Sequence, residues 1–557
     1  MSIVRWLSLG LSAATLLSGC RTSLPAPNLG NIYDRAAKVD DAHRNPVIVI
    51  PGILGSRLLE TGSQRVAWGA FSGDYANPQT ADGARLLALP LTTEQTRGDA
   101  QGSALARSLR ARGSAASGVA LAELRDDVVP AGVLDRTRID LLGLPIELQA
   151  YSRILATLGV GGYRDELLGR AGAVDYGPLH YTCFQFAYDW RRDNVENARR
   201  LGEFIREKSE YIRDIRRKLG QDADAPVKFD IVAHSMGGLV ARYYLMYGDA
   251  EPSNDARSGS AGAATDGAPT DSAPTDGASS LLTSSAHAPS VGDTRAIGAP
   301  AGANAGASTR RTSRPPAPTW PGAAHVERAI FIGTPNAGSL NSLVSLVDGV
   351  NFGPLLPNYP AAVLGTMPSI YQLLPRTRHG VLVDATGARM DADLLNAATW
   401  ERFGWGLAAR DAETGALLRT LLPDARDDAE RRAIALAHLR ACLSRARQFQ
   451  SALDQPATPP AGLSLYLFAG DAVRTRAVGA VDGRGRLRVA EWGPGDGTVL
   501  RQSALCDERT DATWTPGVQS PIAWRRAQFL STNHLGLTFD PAFSDNVLYL
   551  LLEDRRP

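Results

Sequence analysis

Apolar residues along the chain fall into two patterns: short, mostly apolar runs, and longer stretches with apolar positions three and four apart. Residues 46–50, an unbroken run, and 227–233, 328–332 and 463–468, each interrupted by only one or two polar residues, are of the first kind. Runs of that length fit strands covered on both faces. In 194–219, Leu201, Phe204, Ile205, Ile212, Ile215 and Leu219 share one helical face, with arginines and glutamates around the rest. In 428–453 the stripe is Leu436, Leu439, Leu443, Phe449 and Leu453. Helices are also predicted from Met236 to Tyr247, closed by Gly248, and near 541–553, with a hairpin around 482–485. Strands alternating with helices imply an α/β fold with a mostly parallel sheet.

One stretch breaks the pattern. Residues 249–322 are dominated by Ala, Ser, Thr, Gly and Pro, and Ala-Pro-Thr-Asp occurs at both 268–271 and 273–276. Such a composition cannot bury enough apolar surface to offset its ordering entropy, so disorder is expected. Strand character returns at 328, so the insertion interrupts one domain at a loop, where extra length costs little.

The chain has 557 residues, with 59 basic and 58 acidic side chains leaving +1, so no strong field draws it to nucleic acid. A hydrophobic content of 44% with 21% charged residues is that of an ordinary globular protein. A polytopic membrane protein, a collagen and a small disulfide-framed domain are excluded. Residues 1–19 carry one charge, Arg5, then an apolar stretch from about Trp6 to Leu17. That stretch is too short to span a bilayer and has the dimensions of a signal-peptide core. It ends in Leu17-Ser18-Gly19-Cys20, which resembles a bacterial lipobox. The resemblance implies a diacylglycerol on Cys20, with 20–44 as a tether. An ordinary cleaved signal with a chance cysteine is the alternative. Arg21, not an aspartate, is compatible with outer-membrane sorting, so a lipid-anchored protein of the cell envelope is expected, facing the periplasm or the surface. An export compartment permits one disulfide among Cys183, Cys442 and Cys506, the pair left open. No Cys-x-x-Cys occurs, and no metal or cofactor is expected.

The chemistry centres on Ala233-His234-Ser235-Met236-Gly237-Gly238, between a buried strand and a helix. In a nucleophile elbow the backbone turns so tightly that only small residues fit beside a serine presented at a helix N-terminus. A bare N-cap is the alternative for Ser235. A serine nucleophile needs a base, and in this type of fold the order is Ser, acid, His. Among eight histidines, His43 and His180 precede the serine, His234 adjoins it, and His287 falls in the insertion. His325 has no ordered acid before it, and His379 precedes the last strands. His438 lies off the 428–453 stripe and is expected at the surface; with Cys442 it makes too few ligands for a metal. His534, in a polar loop before the final helix, is the base of choice. The acid is Asp496, in a glycine-rich loop, or Asp471, just after a strand. The N–H of Met236 and that of Ile53, or else Leu54, in Pro51-Gly52-Ile53-Leu54-Gly55-Ser56 are candidate oxyanion donors.

From Asn336 to Pro375 the one charged residue is Asp348. Such a segment suits an acyl-binding wall or lid, or else the core of a cap.

Pro51–Ser56, Gly162-Tyr163-Arg164-Asp165-Glu166, Tyr188-Asp189-Trp190-Arg191, the Ser235 elbow, Gly333-Thr334-Pro335 and Gly495-Asp496-Gly497-Thr498-Val499 occur in that order. Together they resemble the lecithin:cholesterol acyltransferase family, over about 45–248 and 323–555. The resemblance implies an α/β-hydrolase fold with a cap and a bacterial lipase-like member of that family. It also implies a triad of Ser235, Asp496 and His534, favouring Asp496 over Asp471. The chain would then divide into a core at 45–248 carrying a cap insertion, the insertion at 249–322, and the rest of the core at 323–557 with the apolar segment 336–375. No cysteine lies between Cys20 and Cys183, so the disulfide-closed membrane loop of animal members has no counterpart. The function expected is serine-dependent hydrolysis or transfer of lipid acyl esters: a phospholipase or O-acyltransferase. A triacylglycerol or short-chain esterase is one alternative. A non-catalytic envelope lipoprotein binding a partner is the other.

Overall fold

The computed structural model describes residues 27–39, 44–70, 75–91, 121, 124–134, 136–141, 144–149, 151–168, 170–171, 174–175, 180–252, 316–351, 357–510 and 514–556. Residues 1–19, read from the sequence as a signal peptide, the expected lipidation site Cys20 and most of the insertion lie outside them. The chain divides into one unit made of Met1–Ser253 with Pro315–Pro557, and a second, Asn254–Arg314, also outside the described residues.

The frame of the first unit is a six-stranded sheet. Its strands are β1 (Val47–Ile50), β2 (Cys183–Gln185), β3 (Phe229–His234), β4 (Val326–Ile332), β5 (Ser464–Gly470) and β8 (Arg526–Leu530). The spatial order is β8-β5-β4-β3-β1-β2, and every pairing is parallel. Parallel strands need covered faces, and every residue of β3, β4 and β5 is buried. β6 (Val473–Val481) and β7 (Leu487–Gly495) form the expected hairpin, with Val473 opposite Gly495. Gly485, at φ +78°, closes it through its N–H to the Asp482 carbonyl at 2.9 Å.

One face of the sheet carries α1 (Ser152–Val160) and α6 (Pro541–Leu552); the other carries α2 (Asn194–Lys218), α3 (Met236–Tyr247) and α5 (Asp428–Leu453). α2 buries Leu201, Ile205 and Ile212, as its spacing predicts. Leu219 is exposed, because it caps the helix where the face runs past the sheet. In α5 Leu439, Leu443, Phe449 and Leu453 are buried. His438 is buried too, against the expectation of a surface position. Its Nε2 lies 3.0 Å from the Thr366 carbonyl and 3.3 Å from Cys442 Sγ. The covering segment after β4 buries the flank of α5 as well as its stripe, a contact no helical period could show. Cys183, Cys442 and Cys506 are all free and buried, so the permitted disulfide is not formed among them.

The long segments after β1 and after β4, the second opening with α4 (Leu340–Asp348), pack on one another. Trp68 meets Tyr359 edge-on at 5.6 Å, the Leu89 N–H donates to Thr366 Oγ1 at 3.0 Å, and Arg85 donates to the Thr420 carbonyl at 2.9 Å. The apolar segment is taken up by this packing: Leu343, Val363, Met367, Tyr371 and Leu374 are buried. Of the two readings offered for it, cap core matches that burial.

Described backbone enters the range expected to be disordered from both sides. At one end Tyr243 holds the Ala250 carbonyl at 2.9 Å and Arg445 pairs with Glu251 at 2.7 Å. At the other, the Trp320 N–H donates to the Met246 carbonyl at 3.1 Å before a turn at Pro321–Ala324. Both ends are therefore held by the last turns of α3 and by α5. Replacing 254–314 with a linker of about ten Gly and Ser residues is expected to leave the thermal midpoint unchanged or slightly raised, since shortening the loop changes closure entropy by no more than about 2 kcal/mol. A large loss of stability in calorimetry would refute this account of the insertion's ends.

Candidate active site

β3 ends and α3 begins with a single residue between them. That residue, Ser235, has φ +53° and ψ −128°, a conformation that costs of order 1–3 kcal/mol for a residue with a side chain. The turn is possible because its neighbours lack side chains. A Cβ on Gly237 would strike the carbonyl oxygen of Pro51, and one on Gly238 would strike Thr334. A Cβ on Gly52 would come within 2.7 Å of the Ser235 Cβ. The Ser235 side chain makes no capping bond to α3; its Oγ lies 2.9 Å from His534 Nε2. The bare N-cap alternative does not fit that geometry.

His534 is held by Asp496 twice. Its Nδ1 is 2.7 Å from Asp496 Oδ2, and its backbone N–H donates to the Asp496 carbonyl at 2.8 Å. The other carboxylate oxygen of Asp496 accepts the N–H groups of Thr498 at 2.9 Å and Val499 at 2.7 Å. Burial pushes this carboxyl up, but the His534 imidazole and those N–H donors outweigh it and hold it below the usual carboxylate range. Close approach again needs glycine. A Cβ on Gly470 would meet the Asp496 Cβ at 2.6 Å, and Gly333, at φ +55°, faces the His534 ring. Asp471, the rival acid, is instead 3.7 Å from Arg501.

The loop after β1 lies beside the serine. Tyr188 Oη donates to the Pro51 carbonyl at 2.9 Å, the Tyr188 N–H donates to Ser56 Oγ at 3.1 Å, and Trp190 Nε1 to the Ser56 carbonyl at 3.2 Å. The Tyr-Asp-Trp-Arg motif is thus the support of this loop, itself braced by the Arg191 pairs to Asp189 at 2.8 Å and Asp126 at 2.7 Å. Leu54 sits at φ +63°. Among the described residues the N–H groups of Ile53 and Met236 have no protein acceptor. Two unpaired amides beside a serine suit an oxyanion better than a simple turn.

Two residues at the site have no signal in the motif reading. The phenol of Tyr151 is 2.8 Å from His234 Nδ1 and accepts the Gly52 N–H at 2.8 Å; His234 Nε2 is 3.1 Å from the His534 carbonyl. His234 stands in the elbow motif but too close to Ser235 in sequence to be its base, and Tyr151 stands in no motif. Among the described residues no group of three His, Cys, Asp or Glu could hold a metal ion, and no helix is long and apolar enough to cross a membrane.

A parallel sheet in this strand order, a serine at the strand-to-helix elbow and a His–Asp pair on the later strands' loops define an α/β hydrolase. Residues 174–399 match the family model described as lecithin:cholesterol acyltransferase, so the resemblance drawn from the motifs holds over that stretch. The matched stretch contains the elbow, while Asp496 and His534 lie beyond it and stand on geometry. The match supports lipid-ester hydrolysis or acyl transfer in general terms. Among solved structures, a chain from the crystal structure of the Tle4–Tli4 complex is similar at a TM-score of 0.46 and 14% identity, over 92% of this chain and 99% of that one. No curated protein sequence matches.

Burial drives both internal histidines towards the neutral form. His438 falls to about 4, and His234, with the His534 ring nearby, to about 3. Unfolded, each binds a proton near pH 6.5, so each withdraws stability as pH falls from there towards its folded value, at up to about 1.4 kcal/mol per unit. Asp230, raised by burial to about 6, acts in the opposite direction, and comparison with a variant cancels it. His438→Gln, which can keep the bond to Thr366, is expected to lose less stability than the wild type between pH 6.5 and 4 in urea titrations. Parallel curves would show that His438 is protonated in the fold.

Proposed function

We propose that the protein cleaves lipid acyl esters through a serine acyl-enzyme. The observation that carries this reading is His534 bridging Ser235 at 2.9 Å and Asp496 at 2.7 Å. Ser235 Oγ attacks the ester carbonyl carbon as its proton passes to His534 Nε2. Asp496, held ionised, fixes the tautomer with Nδ1–H and stabilises the imidazolium. The N–H groups of Ile53 and Met236 receive the negative charge on the carbonyl oxygen. Collapse breaks the ester bond, and the leaving alkoxide takes the proton from Nε2. Water or an alcohol, deprotonated by the same imidazole, then accepts the acyl group, giving hydrolysis or transfer. The family match favours a lipid ester as substrate, as phospholipase or O-acyltransferase.

The test is chromatography of acyl products from vesicles of fatty-acyl-labelled phospholipid containing a sterol, using protein lacking residues 1–20. Label is expected as free fatty acid or sterol ester with the wild type and not with Ser235→Ala. Asp496→Asn is expected to lower the rate by about 10³–10⁴-fold at unchanged folding. Release of label from neutral or short-chain esters alone would replace the phospholipid reading with that of a general esterase. Inactivity on all of them would leave a non-catalytic envelope lipoprotein that binds a partner.

We further propose that Cys20 is lipidated and holds the protein in the bacterial envelope, in the outer membrane. Two acyl chains suffice for stable attachment at about 0.8 kcal/mol per buried methylene. Cys20→Ser is expected to move the protein from the membrane pellet to the soluble fraction; retention in the pellet would remove the anchor from this account.

A further inference from the structure

Between the loop after β1 and the His534 loop runs a line of four groups whose donor and acceptor roles are all forced. The Gly52 N–H can only donate, so the Tyr151 oxygen, 2.8 Å away, accepts. The single phenolic proton is then left for His234 Nδ1, at 2.8 Å, which must carry no hydrogen. The one hydrogen of that neutral ring sits on Nε2 and points to the His534 carbonyl, which can only accept, at 3.1 Å. Burial keeps both members in the required forms, the phenol protonated and the imidazole neutral. Tyr151 and His234 are buried to 3% and 5% exposure, so water does not compete for these bonds.

The two ends of this line are the two parts that must meet at one substrate carbonyl. Gly52 directly precedes Ile53, whose amide faces no protein acceptor among the described residues. The His534 carbonyl belongs to the residue that bears the base. His534 is otherwise fixed through Asp496, on the β7 side; the line from Gly52 is its tie to the opposite side of the serine. The edge-on packing of Tyr151 on His234 at 5.6 Å, and the 4.8 Å separation of the His234 and His534 rings, fill the space between the ends.

We propose that Tyr151 and His234 are positioning residues, a neutral hydrogen-bonded strut that sets the spacing between the oxyanion loop and the base. The proposal rests on the Ser235-centred reading above. Neither side chain touches the reacting atoms; each acts by where it holds Gly52 and His534. Displacements on the 1 Å scale at a reacting centre cost up to about 100-fold in rate. Loss of the strut should therefore appear in kcat and in the reactivity of Ser235, with KM little changed.

The experiment compares wild type, Tyr151→Phe, His234→Ala, His234→Gln and Ser235→Ala in three measurements: thermal midpoint, kcat and KM on a p-nitrophenyl ester, and the rate of Ser235 labelling by a fluorophosphonate, each rate normalised to folded protein. Tyr151→Phe and His234→Ala are expected to lower kcat and the labelling rate together by between about 10- and 100-fold, with KM within about twofold. His234→Gln, whose amide can reach the His534 carbonyl, is expected to recover part of what His234→Ala loses. Wild-type rates per folded molecule in Tyr151→Phe and His234→Ala would overturn the strut and leave the serine mechanism standing. A rise in KM with kcat intact would also overturn it, as a substrate-binding role. A wild type that the probe does not label at Ser235 would overturn the serine mechanism and the strut with it.

Discussion

The reversal of the chain at Ser235 is the constraint around which the other parts are arranged. A residue with a side chain is held at φ +53°, and contacts on four sides hold it there. The β1 loop approaches from one side, where Gly52 and Gly237 remove the side chains that would hold it off. Thr334 approaches from the other, across Gly238. Above, His534 offers its ring nitrogen to the hydroxyl. Below, the Ser235 N–H is bonded to the Ile332 carbonyl of β4 at 2.8 Å. These contacts reach the serine from the ends of β1, β4 and β8, so strands from across the sheet must be in place before the elbow is stable.

This dependence gives roles to residues that otherwise look like packing. The Tyr188–Arg191 segment binds no reacting group, yet it grips the β1 loop at Pro51 and Ser56. Its arginine is buried with two aspartates, an arrangement favourable only where geometry is good and every donor is used. The Asp496 loop shows the same economy of purpose, with one carboxylate oxygen for the loop's own amides and the other for the imidazole.

The strands and helices were legible because each has one dominant environment. α5 begins and ends at Asp428 and Leu453 as its stripe predicts, and α2 departs from expectation only at its last turn. Ser235 and His534 could be singled out because elbow chemistry restricts neighbouring residues to small ones, and because only a few histidines follow the serine; between Asp496 and Asp471 the residues alone left the choice open, and the family resemblance made it. Less legible were contacts made by side chains whose partners lie far along the chain. Tyr151 meets His234 across a separation no periodicity encodes, and His438 is buried by a segment folded back from Thr366. The choice between a lid and cap core for the apolar segment was likewise open, since composition records that a surface is covered and not by what.

The three buried thiols bear on how the molecule comes into being. Cys183 lies on the edge strand β2, Cys442 on α5, and Cys506 just after Arg501–Leu505. None is disulfide-bonded to another, so each depends on enclosure for its reduced state. Enclosure arrives late: β2 pairs with β1, and β1 with β3, across well over a hundred residues, and topologies dominated by such distant pairings close slowly. Until then a thiolate is free to join another and trap a chain that cannot complete its sheet. In an oxidising compartment, maturation becomes a race between zipping and oxidation, and the yield of native molecules is set by kinetics before any substrate is met.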